Sequence, residues 1–220
     1  YTAISGEVGG VLTQAFQGFV MVAAGIIMII AFFSITGGFE SVIEVVSTAG
    51  KVTSNVDGKE VTKAFSPGML DAWGILPGSI AMTWMFIPIL GTMGQPQVLT
   101  RMYALKNPKD MPKLGLYAAI GHMIVGLFAV TMAYAALYLV GKGAIPPLVK
   151  GDNAIFAVAD YVGVYAQLFV YAAILAASMS TASMFLTLSS NIISRDLPSA
   201  LGKELDSKKQ IQVSRITTFV

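Results

Sequence analysis

The sequence predicts an all-α membrane protein. Three observations carry that reading: the composition, four long stretches without charge, and the placement of the basic residues. Of 220 residues, 55% are hydrophobic and only 12% are charged, where soluble domains run nearer about 25% charged. Mean hydropathy is +0.72. Asp, Glu, Lys and Arg are absent from 8–39, 72–100, 114–141 and 161–194. A bilayer core ~30 Å thick needs about 20 helical residues, and every stretch exceeds that. A soluble core is the alternative reading, but four such runs would leave almost no polar surface. The predicted spans lie near 10–36, 73–102, 114–141 and 164–195, in a single transmembrane domain.

The same numbers exclude several functions. A net charge of +2 gives a nucleic-acid partner no electrostatic support. The chain has no cysteine, hence no disulfide framework and no thiolate site. Its single histidine, His122, excludes most histidine-based metal sites and triads. No phosphate loop, nucleophile elbow or paired carboxylate is present, so an enzyme is not expected and no cofactor is called for. The chain begins at Tyr1 inside an ordered-looking pattern and ends where a new apolar pattern starts. It reads as an internal piece of a longer protein.

The basic residues set the orientation. Arg101, Lys106, Lys109 and Lys113 follow the second stretch, and Arg195, Lys203, Lys208, Lys209 and Arg215 follow the fourth. The other connections hold five: Lys51, Lys59, Lys63, Lys142 and Lys150. The side with more Lys and Arg is expected inside. The first helix then runs from inside to outside, the next three alternate, and 207–220 begin a fifth from inside.

Taken in order, the long outer loop 37–72 should hold an amphipathic helix over 39–49. There Val42, Ile43, Val45 and Val46 alternate with Glu40 and Glu44. Asp57-Gly58 is a turn signal. The segment 106–113, with Pro108 and Pro112, is a tight inner connection, and a second short helix is expected over 153–162. Trp73, Tyr138, Tyr161 and Tyr165 sit at predicted span ends, as an aromatic belt would. Asp71 and Asp160 fall at outer boundaries and Glu7 at an inner one.

The second stretch is not an ordinary span. It contains Pro77, Pro88 and Pro96 with Gly74, Gly78, Gly91 and Gly94. An interior proline removes a backbone hydrogen bond and clashes with the preceding turn. Carbonyls freed in lipid must find other partners, so broken helices tend to line a cavity, and in transporters they form the substrate site. A kinked packing helix is the plainer alternative. Gln95, a polar side chain within this run, favours the binding role.

The fourth stretch has a polar face. Ala173, Ala177, Ser180 and Thr181 fall at i, i+4, i+7 and i+8, on one side of a helix. Hard cations take oxygen ligands, and Ser180, Thr181 and the Ala177 carbonyl can supply part of a shell for Na⁺. Ordinary interhelical contact by Ser and Thr is the alternative. His122, early in the third stretch, is an intramembrane ionisable group; a packed neutral imidazole and a proton role are both open.

Three motifs together resemble the sodium:solute symporters, the family of proline, pantothenate, monocarboxylate and sugar symporters. The first is Tyr1-Thr2, Ser5-Gly6, Gly9-Gly10, Thr13-Gln14 and Gln17. The second is Gly94-Gln95-Pro96-Gln97 followed by Arg101. The third is Ala176-Ala177-Ser178-Met179-Ser180-Thr181. Their order and spacing are those of the family, and the resemblance covers essentially the whole chain. It implies part of a LeuT-like inverted-repeat core, about core helices five to eight and the start of nine. It implies a multi-pass protein of the cell membrane that couples Na⁺ to symport of a small organic solute, an amino acid such as proline, a carboxylate or pantothenate.

The resemblance also assigns roles. Ala177, Ser180 and Thr181 match the family's sodium ligands, with the remaining ligands on a helix this chain lacks. Pro88, Thr92 and Pro96 align with substrate-facing positions of proline symporters and, with Gln95, form the expected substrate set. Pro88 and Thr92 replace aromatic residues there, which puts proline itself in question. Gln14 stands where many members carry an Asp. The expected partners are Na⁺, the solute and lipid. The rival reading is a symporter-like sensory domain of a signalling protein.

Overall fold

A computed structural model of the chain describes residues 2–56, 58–70, 77–103, 105–203 and 205–219, without the side chains of 2–8, 67, 70, 92, 93, 97, 100, 101, 103 and 219. The expectations for Asp71 and Trp73 lie outside the described residues, as do those for the side chains of Glu7, Gln97 and Arg101. The described chain is mostly helical. Three helical segments are long and apolar enough to cross a membrane: Gly9–Thr36, Pro108–Gly141 and Val164–Ala200. A shorter apolar segment covers Gly78–Gly91.

Helix α1 (Thr2–Thr36) would reach about 50 Å at ~1.5 Å per residue. Helix α2 (Phe39–Thr48) buries Val42, Val45 and Val46 and leaves Glu40 and Glu44 exposed. Strands β1 (Lys51–Val56) and β2 (Lys59–Ala64) pair antiparallel, with Val56 opposite Lys59 and Lys51 opposite Ala64. Gly58 supplies the positive φ of +76° that so tight a connection needs. This hairpin is a departure from the all-α class; the outer loop was expected to hold a short helix and a turn at 57–58. Its strands are short and rich in Lys, Thr and Ser, so the alternation is weak, and the Asp57-Gly58 turn signal was its only mark.

Helices α3 (Gly78–Met93) and α4 (Pro96–Tyr103) divide the second apolar stretch. Helix α5 (Met111–Gly141) follows a 3₁₀ turn at Pro108–Asp110, where the Asn107 side chain accepts a 3.2 Å bond from Lys109 N–H. Pro112 sits in the first turn of α5, where its missing N–H costs nothing. Helix α6 (Ala154–Val162) leads through Gly163 into α7 (Val164–Asn191). A π-helical turn, Ile192–Asp196, joins α7 to the one-turn α8 (Leu197–Ala200). Pro198 lies two residues beyond the end of this wide turn. Gly202, at φ +68°, closes α8 with Gly202 N–H on Ser199 O and Lys203 N–H on Pro198 O, the double bond of a Schellman motif. Helix α9 spans Ser207–Phe219.

The chain forms two compact units. One comprises 22–90 and 112–172. Its core packs Met28 and Phe32 of α1, Val42 and Val46 of α2, Leu139 of α5 and Val158 of α6, all essentially inaccessible. The Phe39 ring lies 4.9 Å from Phe32, 5.9 Å from Phe33 and 6.0 Å from Tyr134, centroid to centroid. That cluster pins α2 to α1 and α5. Two glycines permit close helix approach: a methyl at Gly25 would lie 3.6 Å from Ile124, and one at Gly141 would collide with Val45. Tyr171 donates a 3.5 Å hydrogen bond to Asp160, joining α7 to α6.

The other unit comprises 1–21, 91–111 and 173–220. In it, Ser190 of α7 donates to the Ser214 carbonyl of α9 at 2.9 Å, and the two hydroxyls meet at 2.6 Å.

Candidate ion and solute site

On α7 the three predicted ion ligands converge on one oxygen. Ser180 Oγ donates to the Ala177 carbonyl at 2.8 Å, and Thr181 Oγ1 donates to the same carbonyl at 3.0 Å. The cause is local. Hydroxyls three and four residues along a helix reach back to the carbonyl of the preceding turn. The result is a corner of three oxygens, two of them hydroxyls that keep lone pairs for a further partner. Ala177 and Ser180 are half-buried, whereas Thr181 is exposed. One helix supplies part of an oxygen shell, and any ion held here needs ligands from elsewhere.

The predicted solute residues lie along α3 and its junction with α4. Pro88 is inside α3, and the helix continues through it. The break comes six residues later, at Gly94 and Gln95. Pro96 opens α4, where its fixed φ suits a first helical position. The Gln95 carbonyl accepts from Val98 N–H at 3.0 Å and Leu99 N–H at 3.3 Å, so Gln95 caps α4. Pro88, Gln95 and Pro96 are exposed. The Thr92 backbone belongs to α3, and its side chain lies outside the described residues. Thr92, Gln95 and Pro96 share a compact unit with Ala177, Ser180 and Thr181; Pro88 belongs to the other unit.

His122 is exposed on α5, with Nδ1 2.8 Å from the Ala118 carbonyl. The ring is thereby tied to its own helix. Among the described residues, no group of three or more His, Cys, Asp or Glu side chains is placed to hold a metal.

Two polar features escaped the reading of motifs. Along α7 and the π-helical turn after it, Ala176, Ser180, Ser183, Thr187, Ser190 and Ser194 are all less exposed, a stripe of small and hydroxyl residues at alternating intervals of four and three. That spacing was available in the sequence as a helix-packing signal. On α1, Gln17 is 6% exposed, and its Oε1 is buried without a hydrogen-bond partner among the described residues. Gln17 was visible only as part of the first motif, because burial of one glutamine depends on what packs over it.

The sodium:solute symporter family matches residues 1–220. The chain belongs to the sodium:solute symporter family. It is similar to the sodium/pantothenate symporter of Haemophilus influenzae, 30% identical over 224 residues, and to the osmoregulated proline transporter OpuE of Bacillus subtilis, 26% identical over 231 residues. All of this chain is covered in both comparisons, and it spans 42% of the length of each relative. No solved structure matches it. The family and these relatives are transporters, not enzymes. The long apolar helices fit a membrane transporter.

Proposed function

We propose that the protein of which this chain is part couples inward flow of Na⁺ to uptake of a small organic solute across the cell membrane. The observation that carries this reading is the convergence of Ser180 and Thr181 hydroxyls on the Ala177 carbonyl, in a chain of a sodium-coupled family. Three oxygens at one corner suit a hard monovalent cation, with carbonyl dipoles in place of a carboxylate. Bound Na⁺ would tie α7 to the helix that completes its shell and favour one orientation of the carrier. Solute binding belongs at the break around Thr92, Gln95 and Pro96, with Pro88 setting the path of α3. Broken helices of this kind bring backbone polar groups to the substrate site in transporters.

The energetics suffice. The membrane potential contributes ~2.3 kcal/mol per charge per 100 mV, roughly a 50-fold concentration ratio for one Na⁺. The names of the relatives, one a pantothenate symporter and one a proline transporter, make a carboxylate-bearing solute the first choice. Pro88 and Thr92, in place of aromatic residues, argue for a solute other than proline.

Uptake by the full-length protein in proteoliposomes tests this. Labelled pantothenate, proline and short monocarboxylates are offered with an inward Na⁺ gradient or with K⁺ alone. Uptake that needs Na⁺ and collapses in Ser180→Ala plus Thr181→Ala supports the reading. Uptake indifferent to Na⁺ and to both substitutions overturns it.

A further inference from the structure

One face of the hairpin carries two lysines, Lys59 exposed beside the turn and Lys63 half-buried further along. Val52, Ser54, Val56, Val61 and Lys63 are its half-buried residues, while Lys51, Thr53, Asn55, Thr62 and Ala64 are exposed. Val52 pairs with Lys63, and residues directly opposite in an antiparallel ladder share a face. Lys63 therefore lies on the face that period-two alternation would give to an apolar residue.

Lys63 lines a cavity of about 220 Å³. Ala133, Ala136, Leu137 and Val140 form one wall, at i, i+3, i+4 and i+7 on a single face of α5. Leu148 adds a further apolar surface, and Lys63 is the only ionisable residue among the described residues of the lining. Among the described residues the Lys63 side chain has no ion pair or hydrogen bond. Lys142, nearby on the chain, shows the alternative arrangement, its Nζ 5.9 Å from the centre of the Tyr138 ring.

Apolar walls offer the ammonium beside them no hydrogen-bond partner. An anion in the cavity would give it a charge-assisted hydrogen bond, while the α5 wall takes an apolar body. The volume equals about seven waters at ~30 Å³ each. That admits a small solute. The cavity lies at the end of α5 that the basic-residue distribution assigns to the outside. We infer that it is a binding site for a small amphipathic monoanion, a short-chain carboxylate taken from the outer solution, separate from the α7 oxygen corner.

Calorimetric titration of the full-length protein in phosphatidylcholine nanodiscs, without Na⁺, tests the site with hexanoate as probe and hexanol and hexylamine as controls. Hexanoate should saturate one site at least ten-fold more tightly than either control. Lys63→Gln should weaken it ten-fold or more, and Lys63→Arg should retain it. Ala133→Trp, at an exposed lining position, should abolish binding with the melting temperature unchanged. Equal binding of hexanol and hexanoate, or an isotherm insensitive to both Lys63→Gln and Ala133→Trp, would overturn the inference. So would displacement of hexanoate by phosphatidylglycerol in the disc, which would make a lipid phosphate the occupant. Binding is read without transport, so a failure of sodium coupling leaves this test intact.

Discussion

Ser190 and Ser214 stand 24 residues apart in sequence, and their hydroxyls meet at 2.6 Å. Ser190 also donates to the Ser214 carbonyl at 2.9 Å. With one proton each, the consistent arrangement has Ser190 donating to that carbonyl and accepting from the Ser214 hydroxyl. Two helices are joined through one buried group. Ser190→Ala should destabilise the protein by about 1–3 kcal/mol, the cost of leaving buried partners unmade. In a double-mutant cycle Ser214→Ala should add little to Ser190→Ala, because both remove the same link. Thermal unfolding in detergent measures both; additive losses would contradict the pairing.

Thr181 is the accessible member of the α7 oxygen corner. Thr181→Val keeps its shape and removes only the hydroxyl. The half-saturating Na⁺ concentration for uptake should rise about ten-fold or more, since a hydrogen bond or contact to a charge is worth ~1.5–3 kcal/mol. Thr181→Ser should stay near wild type. An unchanged Na⁺ dependence in Thr181→Val would remove this side chain from the ion site.

Pro88 interrupts the hydrogen-bond ladder of α3 without ending it. Pro88→Ala restores a backbone donor in the middle of a helix, where proline costs ~3 kcal/mol. The melting temperature should rise while the initial rate of uptake falls. Both are read on one preparation; a stiffer protein with full transport would show that the interruption serves packing alone.

Gly141 has no room for a side chain. A methyl there would run into Val45, with Ala49 at 3.5 Å and Phe65 at 3.8 Å. Gly141→Ala should destabilise by about 1–3 kcal/mol through overpacking. Gly126→Ala, on the same helix with nothing within 4 Å, should be neutral or stabilising by up to ~1 kcal/mol. Chemical denaturation of the pair checks the contrast.

Features were legible where they depend on near neighbours in sequence. The amphipathic helix α2 was readable because its valines recur at helical spacing with glutamates between them. The oxygen corner was readable because Ala177, Ser180 and Thr181 lie within two turns of one helix. The break in the second stretch was expected from its prolines, yet the helix passes through Pro88 and stops at Gly94 and Gln95. A proline is costly inside a helix and favourable at its first position, and only the whole path of the chain decides which applies. The hairpin is local, but its Lys-, Thr- and Ser-rich strands alternate too weakly to be read. The burial of Gln17 was out of reach because it depends on what packs over that side chain.

The self-directed hydroxyls of α7 bear on how the protein is made. Ser178, Ser180, Thr181 and Thr187 each donate to a carbonyl of their own helix. A helix entering the bilayer before it meets its neighbours must satisfy its polar groups alone. With these donors already engaged, α7 enters lipid as though nearly apolar. Their oxygens keep lone pairs with which another helix or an ion can be met afterwards. Insertion and function therefore draw on the same residues at different moments, and a substitution that helps one can be silent in the other.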